Sequence, residues 1–275
     1  MVNHLLSNDS KPLGPSTKRI SLQVEYEGTH YMGFQFQPDQ PTIQGELEKA
    51  IQSLTGKTTR IRGASRTDSG VHAYGQIVDG VIKDKYSIHT VLKALNHYLP
   101  SDIKITKAYD VSESFHSRRD AHSRVYRYHI LNRSEPSPIR RRTHYLIQDQ
   151  LDDSRMSQAA QDLIGTHDFK QFTKGINNYT STIREVLRWD VRRFGDIITI
   201  ECEGNGFLRQ QIRRANAILV EIGKNKWPDT SIKDTLDNKF EKSKSHTVLP
   251  ALGLCLVEVK YYNFWDKVIN KHETS

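Results

Sequence analysis

The chain has 275 residues, of which 36% are hydrophobic and 26% are charged, a composition that excludes an intrinsically disordered protein. Lys and Arg outnumber Asp and Glu by 40 to 32, and the net charge of +8 favours a polyanionic partner such as RNA, DNA or a membrane surface. No apolar run approaches the roughly 20 residues of a membrane span, and the N-terminus lacks the order of a secretion signal. Cys202 and Cys255 form no CxxC pair, so we expect a soluble cytoplasmic protein without a cysteine zinc site.

The first part of the chain is predicted to mix strands and helices. Apolar and polar residues alternate from Ile20 to Tyr26, the period-2 pattern of a half-buried strand. Thr42 is placed to cap a helix, with Glu46 positioned to reach back to the turn. The remaining elements predicted here are a helix from Ser87 to Asn96 and strands at residues 59–62, 75–82, 103–109 and 124–131.

The second part repeats this mixture after a connector rich in Pro and Arg at residues 133–142. The patterns predict helices at residues 152–164 and 207–222 and strands at residues 183–193, 197–203 and 254–261. Because strands and helices do not alternate strictly, we expect an α+β fold with a mixed, mostly antiparallel sheet. The predicted division is a disordered lead-in at 1–17, an N-terminal half at 18–132, a connector at 133–150, a C-terminal half at 151–265 and a tail at 266–275.

The most informative segment is the loop from Gly63 to Gln76, which lies between two predicted strands and contains three glycines. Glycines allow tight turns and the close approach of a ligand. The residues alone permit two interpretations. In the first the loop is a plain turn, with Asp68 bonded to its own backbone and Arg66 a solvated surface charge. In the second it is a functional site, with Arg66 and Asp68 on one face of an extended segment.

This loop resembles the signature of the TruA family of tRNA pseudouridine synthases, which reads close to G-R-T-D-x-G-V-H-A. The matching residues are Arg66, Thr67, Asp68, Gly70, Val71, His72 and Ala73. The resemblance covers most of the chain in the same order, at Tyr26–Gln37, Thr42–Gln44, Phe115–Arg118, Arg124–Tyr128, Gly165–Phe169, Gly206–Arg213 and Gly253–Leu256. It implies the pseudouridine synthase fold, in which two similar α/β halves hold the active-site cleft between them.

The resemblance implies that Asp68 is the essential catalytic carboxylate. Pseudouridine formation breaks the bond from ribose to the uracil ring nitrogen, rotates the base and rejoins ribose to ring carbon 5, and a carboxylate suits this as nucleophile or as base. A nearby arginine favours an ionised carboxylate, so we predict that Arg66 pairs with Asp68. By the resemblance, Arg66 also helps to hold the target base out of the stack. Arg213 likewise points into the cleft and pairs with Asp68, although such a residue on an amphipathic helix is otherwise a solvated one.

Three further residues are implied to bind the substrate. Tyr126 matches the aromatic residue that lies under the flipped base, although a core position on its strand is the alternative. Leu254 and Leu256 are expected to line the apolar side of the pocket, and a core strand explains them equally well. A structural place in the turn would explain His72, and we assign it no role in proton transfer. Because no step is a redox or hydrolytic one, we predict no cofactor and no metal, in agreement with the absence of a P-loop or Rossmann fingerprint from the sequence.

The chain departs from the family pattern at a few positions. Glu27 stands where Asp is usual, and Ser65 replaces a common Gly immediately before Arg66. The segment Glu203–Asn205 is more acidic than its family counterpart, and Arg214–Asn216 and Leu249–Ala251 also differ from it. None of these departures removes a catalytic side chain, so they bear on the choice of tRNA and nucleotide rather than on the reaction.

The expected partners are tRNA and a second copy of the chain. The resemblance implies modification of nucleotides 38, 39 and 40 in the anticodon arm and a homodimer that grips tRNA across both subunits. Basic residues interleaved with aromatic ones suit phosphate contacts and base stacking. The basic residues considered are Arg118, Arg119, Arg124, Arg127, Arg140, Arg141, Arg142, Arg188, Arg192, Arg193, Arg209, Arg213 and Arg214.

Three other interpretations compete with this one. A non-catalytic tRNA-binding module would keep the basic surface without needing Asp68, and a relative could modify a different RNA position. A metal-dependent nuclease would need clustered carboxylates, and the acidic residue nearest to Asp68 beyond its motif is Asp79. His116, Asp120 and His122 have a spacing that fits no standard metal site.

Overall fold

One sheet organises the fold in the computed structural model, which describes residues 16–174, 180–239 and 247–268. Its ten strands in these ranges are β1 (Thr17–Tyr26), β2 (Arg62–Gly63), β3 (His72–Lys83), β4 (Ile103–Val111), β5 (Ser123–Asn132), β6 (Tyr145–Ile147), β7 (Gly165–Asp168), β8 (Ile183–Phe194), β9 (Ile197–Gly204) and β10 (Leu254–Lys260). The order is β4-β1-β3-β10-β5-β9-β8-β7, with β2 beside β3 and β6 beside β5. The β3–β10 and β5–β6 pairs are parallel and the main-path neighbours are otherwise antiparallel. The predicted α+β fold is confirmed.

Helices flank this sheet, and three of the five described begin after a capping residue that the sequence indicated, namely Thr42, Ser87 and Asp152. The helices are α1 (Ile43–Thr55), α2 (Ile88–Tyr98), α3 (Asp153–Ala160), α4 (Gln211–Gly223) and α5 (Ser231–Leu236). The Thr42 hydroxyl accepts a hydrogen bond from the Gly45 amide at 3.2 Å, and the Ser87 hydroxyl accepts one from the Thr90 amide at 3.1 Å. Each cap satisfies one of the free N–H groups at a helix start. None of the helices described is both long enough and apolar enough to span a membrane.

The start of α4 differs from the prediction in a way that shapes the site. The pattern predicted a helix from Phe207, whereas α4 begins at Gln211. Gln210 adopts a left-handed conformation with φ 62°, which interrupts a right-handed helix. The Gln211 side chain also accepts a hydrogen bond from the Leu208 amide at 2.8 Å, which closes the preceding turn. Residues 207–210 therefore precede the helix as a turn, and Phe207 in this turn contacts Tyr126 on the central strand β5.

Smaller corrections concern elements without a regular period. Strand β2 covers residues 62–63 instead of 59–62, because the Ile61 amide donates to the Glu48 side chain at 3.1 Å rather than to a neighbouring strand. Glu46 contacts Lys49 at 2.8 Å and does not complete the predicted cap. Strand β7 has four residues and helix α5 has six, too few for periodicity to reveal them.

The middle of the sheet joins strands from both parts of the chain. Strand β10 lies between β3 and β5, so the end of the chain connects the early strands β1–β4 to the later β7–β9. Helices α1 and α2 pack together beside the early strands, and α3 packs on α4 and against β8. The division into two halves with a connector at 133–150 stays a prediction. Of the predicted lead-in and tail, residues 1–15 and 269–275 lie outside the described residues, and β1 already begins at Thr17.

A buried carboxylate anchors the strand that precedes the Gly63–Gln76 loop. Asp79 on β3 is 0% exposed, and its Oδ2 atom accepts hydrogen bonds from Arg19 Nη1 at 2.7 Å and Arg62 Nε at 3.1 Å. Its Oδ1 atom accepts one from the Ser117 amide at 2.9 Å. Burial acts to raise the pKa of Asp79, but the hydrogen bonds from Arg62 and Ser117 outweigh it and hold this pKa below its usual value. Asp79 therefore ties β1, β2 and the Ser117 loop together as an anion.

Candidate active site

The loop between β2 and β3 is held by the segment that follows β1. The Phe34 amide donates to the Thr67 carbonyl at 3.1 Å, and the Gly70 amide donates to the Tyr31 carbonyl at 3.3 Å. The buried Tyr26 hydroxyl lies 2.8 Å from the Thr67 hydroxyl. These contacts fix the backbone on both sides of Asp68, so its carboxylate projects from a rigid support.

Two glycines of the Tyr26–Gln37 motif make this contact possible. Gly33 has φ +94°, and a Cβ atom there would lie 2.8 Å from the Thr67 carbonyl oxygen. A Cβ atom on Gly28 would lie 2.0 Å from the Val71 carbonyl oxygen, which is closer than atoms can approach. The spacing of these glycines in the motif therefore reflects the close packing of its backbone against the Asp68 loop.

The start of the loop is clamped from the opposite side. Gln76, which is fully buried on β3, accepts from the Ser65 amide at 3.1 Å and donates to the Ser65 carbonyl at 2.8 Å. Arg124 donates to the Ala64 carbonyl at 3.1 Å and to the carbonyls of Arg118 and Asn205 at 2.7 Å and 2.8 Å. Because Arg124 is only 7% exposed and its guanidinium serves these carbonyls, it supports the loop instead of offering a free charge to RNA.

A cleft of about 1080 Å³ opens between this loop, the N-terminal end of α4, and strands β5 and β10. That volume exceeds the roughly 300–1,000 Å³ of most small-molecule pockets, so there is room for a nucleotide and its neighbours. Among the described residues, Asp68 is the only acidic side chain that lines the cleft. The arginines along the lining are Arg66, Arg118, Arg119, Arg124, Arg184, Arg209 and Arg213. A single carboxylate in a cationic cleft suits a reaction on a polyanion.

Asp68 is paired with Arg213 across the cleft. The Arg213 Nη1 atom lies 3.2 Å from Asp68 Oδ2, and the two side chains are 14% and 24% exposed. Arg213 Nε donates to the Leu249 carbonyl at 2.7 Å, which fixes the direction of the guanidinium. Arg213 is the third residue of α4, and the positive end of the helix dipole adds to the field at the carboxylate. Within the described ranges no hydrogen bond reaches Asp68 Oδ1, so this oxygen is available to a substrate.

The predicted contact between Arg66 and Asp68 is wrong. The Val71 amide bonds to the Asp68 carbonyl at 3.2 Å, which makes Asp68 the first residue of a turn, and the Asp68 carboxylate pairs with Arg213 instead. Arg66 is exposed at the cleft and, in the part of the chain that the structure describes, makes no ion pair or hydrogen bond. Its guanidinium is therefore free to meet RNA.

Tyr126 and Leu254 line the cleft, and Leu256 does not. The Tyr126 ring is 5% exposed, it stands perpendicular to the Phe207 ring at a centroid distance of 5.6 Å, and its hydroxyl lies 2.6 Å from the Ser65 hydroxyl. Burial raises the pKa of Tyr126 to about 12, so this hydroxyl is protonated at neutral pH. Leu256 is opposite Tyr126 in the β5–β10 pair and is 0% exposed, so it belongs to the core.

His72 has a structural place at the start of β3. Its Nδ1 atom accepts from the Gly28 amide at 3.1 Å, and its Nε2 atom lies 2.8 Å from the Arg142 carbonyl and 3.1 Å from the Leu252 carbonyl. These partners assign the proton of a neutral ring to Nε2. Burial lowers the pKa of His72, which favours that neutral form. Both nitrogens are occupied, so His72 does not compete with Asp68 for a proton-transfer role.

The acidic and histidine clusters considered from the sequence do not gather into a metal site. Asp79 is enclosed by arginines outside the cleft lining, and His116 Nδ1 accepts from the Arg118 and Arg119 amides. The described residues include no group of three or more His, Cys, Asp or Glu side chains arranged to hold a metal ion. The part of the chain that the structure describes therefore offers a nuclease none of the clustered carboxylates that it requires.

Several arginines considered for RNA lie on another surface. Arg127 and Arg188 pair with Glu201 at 2.6 Å and 2.7 Å, and Arg192 pairs with Asp190 at 3.4 Å, on the face of β5, β9 and β8 away from Tyr126. Conversely, Arg184 lines the cleft, although the residue pattern of its strand did not predict a role for it in the site. The sequence pointed to Phe207 only as one of the aromatic residues suited to base stacking, and the support that Gln76 gives to the loop was missed because it binds a residue 11 positions away.

Comparison with known proteins places this architecture in a family. A family model described as tRNA pseudouridine synthase matches residues 22–119 and 159–262. The chain belongs to the tRNA pseudouridine synthase family, and it is an isomerase that acts on tRNA.

Named relatives agree along nearly their whole length. A protein of Thermoanaerobacter sp. strain X514 is 38% identical over 244 residues, which cover 89% of this chain and 100% of the relative. A protein of Sinorhizobium fredii strain NBRC 101917 / NGR234 is 38% identical over 246 residues, 88% of this chain and 99% of the relative. A protein of Myxococcus xanthus is 36% identical over 244 residues, which cover 88% of this chain and 92% of the relative. Each is named tRNA pseudouridine synthase A.

Proposed function

We propose that the protein converts uridine to pseudouridine in the anticodon arm of tRNA, at nucleotides 38, 39 and 40, with Asp68 as the catalytic carboxylate. The observation that carries this proposal is the position of Asp68, which among the described residues is the one carboxylate in an arginine-lined cleft, with one oxygen bonded to Arg213 and the other without a partner. A site that only bound tRNA would gain nothing from a negative charge at this place, because it repels phosphate.

The reaction requires two things of the protein, which are this carboxylate and a site that holds the uracil base in position. The target uridine leaves the stack and enters the cleft, where the face of the Tyr126 ring supports it and Leu254 borders its apolar side. The bond from ribose C1′ to ring N1 breaks, the base turns, and a bond from C1′ to C5 forms. The C5 proton leaves and N1 regains a proton, so atoms and charges balance without an oxidant or a nucleotide cofactor.

Asp68 serves this sequence either by bonding to the substrate or by stabilising charge and accepting the C5 proton. Both roles need a carboxylate oxygen that the base can reach, and Asp68 lines the cleft with its Oδ1 atom unbonded among the described residues. Arg213 holds the carboxylate in place through its two bonds, to Asp68 and to the Leu249 carbonyl. Arg66, exposed beside Asp68, is placed to contact the RNA backbone and to keep the base out of the stack.

We further propose that two copies of the chain act together in the cytoplasm. The dimer rests on the resemblance to the TruA family, and the two buried free cysteines agree with a reducing compartment. Light scattering at micromolar concentration should give a mass near twice the 31.7 kDa of one chain. A mass of one chain, unchanged when tRNA is added, would contradict the dimer.

The decisive experiment measures release of tritium from unmodified tRNA labelled at uracil C5 in the anticodon arm. We expect release in EDTA without added nucleotide, because no step needs a metal or a cofactor. Mapping the product should place pseudouridine at nucleotides 38, 39 and 40, and a product elsewhere would correct the position alone. Binding of tRNA without release from a mixed pool of tRNAs would instead support a non-catalytic module.

A further inference from the structure

One residue joins the loop that carries Asp68 to the ring proposed to support the base. Ser65 is three positions before Asp68, and its hydroxyl lies 2.6 Å from the Tyr126 hydroxyl. We propose that Ser65 is a positioning residue, which holds the Tyr126 ring at a set place relative to Asp68 so that a stacked uracil meets the carboxylate. This inference rests on the proposed roles of Asp68 and Tyr126.

The Ser65 hydroxyl is a fixed point because its backbone is held on both sides. The fully buried Gln76 amide binds both the N–H and the carbonyl of Ser65. The Ala64 amide donates to the Ile77 carbonyl at 2.8 Å, and Arg124 binds the Ala64 carbonyl. With this backbone immobile, the hydroxyl retains only rotation about one side-chain bond. It can therefore define the position of a partner atom.

The Tyr126 ring packs in the hydrophobic core, and among the described residues its hydroxyl has one hydrogen-bond partner, Ser65. Its backbone belongs to β5, and its ring stands perpendicular to that of Phe207, which lies in the turn before α4 and not in a regular element. Contacts between aromatic rings tolerate a wide range of angles and distances. A short hydrogen bond between two hydroxyls instead fixes the position of the Tyr126 hydroxyl, and with it the direction of the ring axis. Because the Tyr126 hydroxyl is protonated at neutral pH, the bond is a neutral one that leaves the field at Asp68 unchanged.

The bond between Ser65 and Tyr126 also gives a physical role to the serine that replaces the common family glycine at position 65. A glycine, the common family residue at position 65, has no side chain with which to bond Tyr126. In this chain the two hydroxyls satisfy each other, so neither is needed for holding RNA. Their loss should therefore affect the rate of the chemical step and leave tRNA binding intact.

The test is a double-mutant cycle measured by tritium release. Ser65→Ala and Tyr126→Phe should each lower kcat about tenfold, the scale of one hydrogen bond, with KM unchanged. The double variant should be no slower than either single variant, because both remove the same bond. Ser65→Thr retains the hydroxyl and should keep kcat within about threefold of the wild-type value.

Matched controls separate positioning from general damage. Ser123→Ala removes another serine hydroxyl bond of 2.6 Å, to Glu203, and Tyr128→Phe removes a buried tyrosine bond of 2.8 Å, to the Pro250 carbonyl. Neither side chain lines the cleft, so both variants should keep kcat. Unchanged kcat in Ser65→Ala, a change confined to KM, or additive losses in the double variant would overturn the Ser65 proposal alone. Wild-type inactivity, or full activity of Asp68→Asn, would overturn the proposed function together with it.

Discussion

Asp68→Asn should abolish pseudouridine formation while tRNA binding persists. Asparagine keeps the shape of the side chain, but its amide is neither a nucleophile nor a base and cannot form the ion pair with Arg213 that the carboxylate makes at 3.2 Å. Loss of a residue central to the chemistry costs on the order of 10³-fold or more in kcat. Removal of the single negative charge in the described cleft lining should leave affinity for tRNA unchanged or raise it. Single-turnover tritium release and filter binding on the same samples measure both.

Two companion variants define what this result means. Arg213→Lys keeps the positive charge but cannot bond Asp68 and the Leu249 carbonyl at once, so we expect an intermediate loss of roughly 10- to 100-fold. Asp196→Asn, in the turn between β8 and β9, removes a carboxylate that is 58% exposed and should change neither rate nor binding. Residual activity of Asp68→Asn within tenfold of wild type would remove Asp68 from its proposed role.

The elements with a regular pattern could be predicted from the sequence, and the contacts that build the site could not. Strand β1 follows the alternation from Ile20 to Tyr26, and α1 begins where Thr42 offers a cap. Both signals are local, because they arise from the period of the backbone and from the free N–H groups at a helix start. The pair of Asp68 and Arg213 joins residues 145 positions apart, and only the family resemblance indicated it in advance.

The two wrong site predictions have different origins, because the pair of Arg66 and Asp68 came from local spacing and the place of Leu256 in the pocket came from the family resemblance. Spacing along an extended segment allows Arg66 and Asp68 to share a face, but the Asp68 carboxylate pairs with Arg213, which is distant in the sequence. Leu254 and Leu256 do share a face of β10, yet Leu254 is at the strand end beside the cleft and Leu256 lies deeper in the core. Position along the strand, set by its neighbours in the sheet, decides which of the two meets the substrate.

The largest effect on stability is expected for Asp79→Asn. This substitution leaves the guanidinium groups of Arg19 and Arg62 beside a neutral amide at a fully buried position. Removal of one partner from a buried ion cluster typically costs about 3–5 kcal/mol, since the remaining charges lose their compensation. Urea unfolding at neutral pH, followed by the fluorescence of the buried Trp189, should show a loss of this size. The surface variant Asp84→Asn, whose carboxylate is 43% exposed and 4.0 Å from Lys18, should lose less than about 1 kcal/mol.

The dependence on pH gives this prediction its sharpest form. The pKa of Asp79 is lowered in the folded protein, so the folded state binds its proton less readily than the unfolded chain does. The stability that Asp79 contributes is therefore complete above the unfolded pKa of about 4 and is lost as the pH falls through the lower folded pKa. The difference in unfolding free energy between wild type and Asp79→Asn should be constant from neutral pH down to about pH 5 and shrink below pH 4. A difference that stayed constant through this acid range would show that packing of the side chain, and not its charge, holds β1, β2 and the Ser117 loop together beneath the active site.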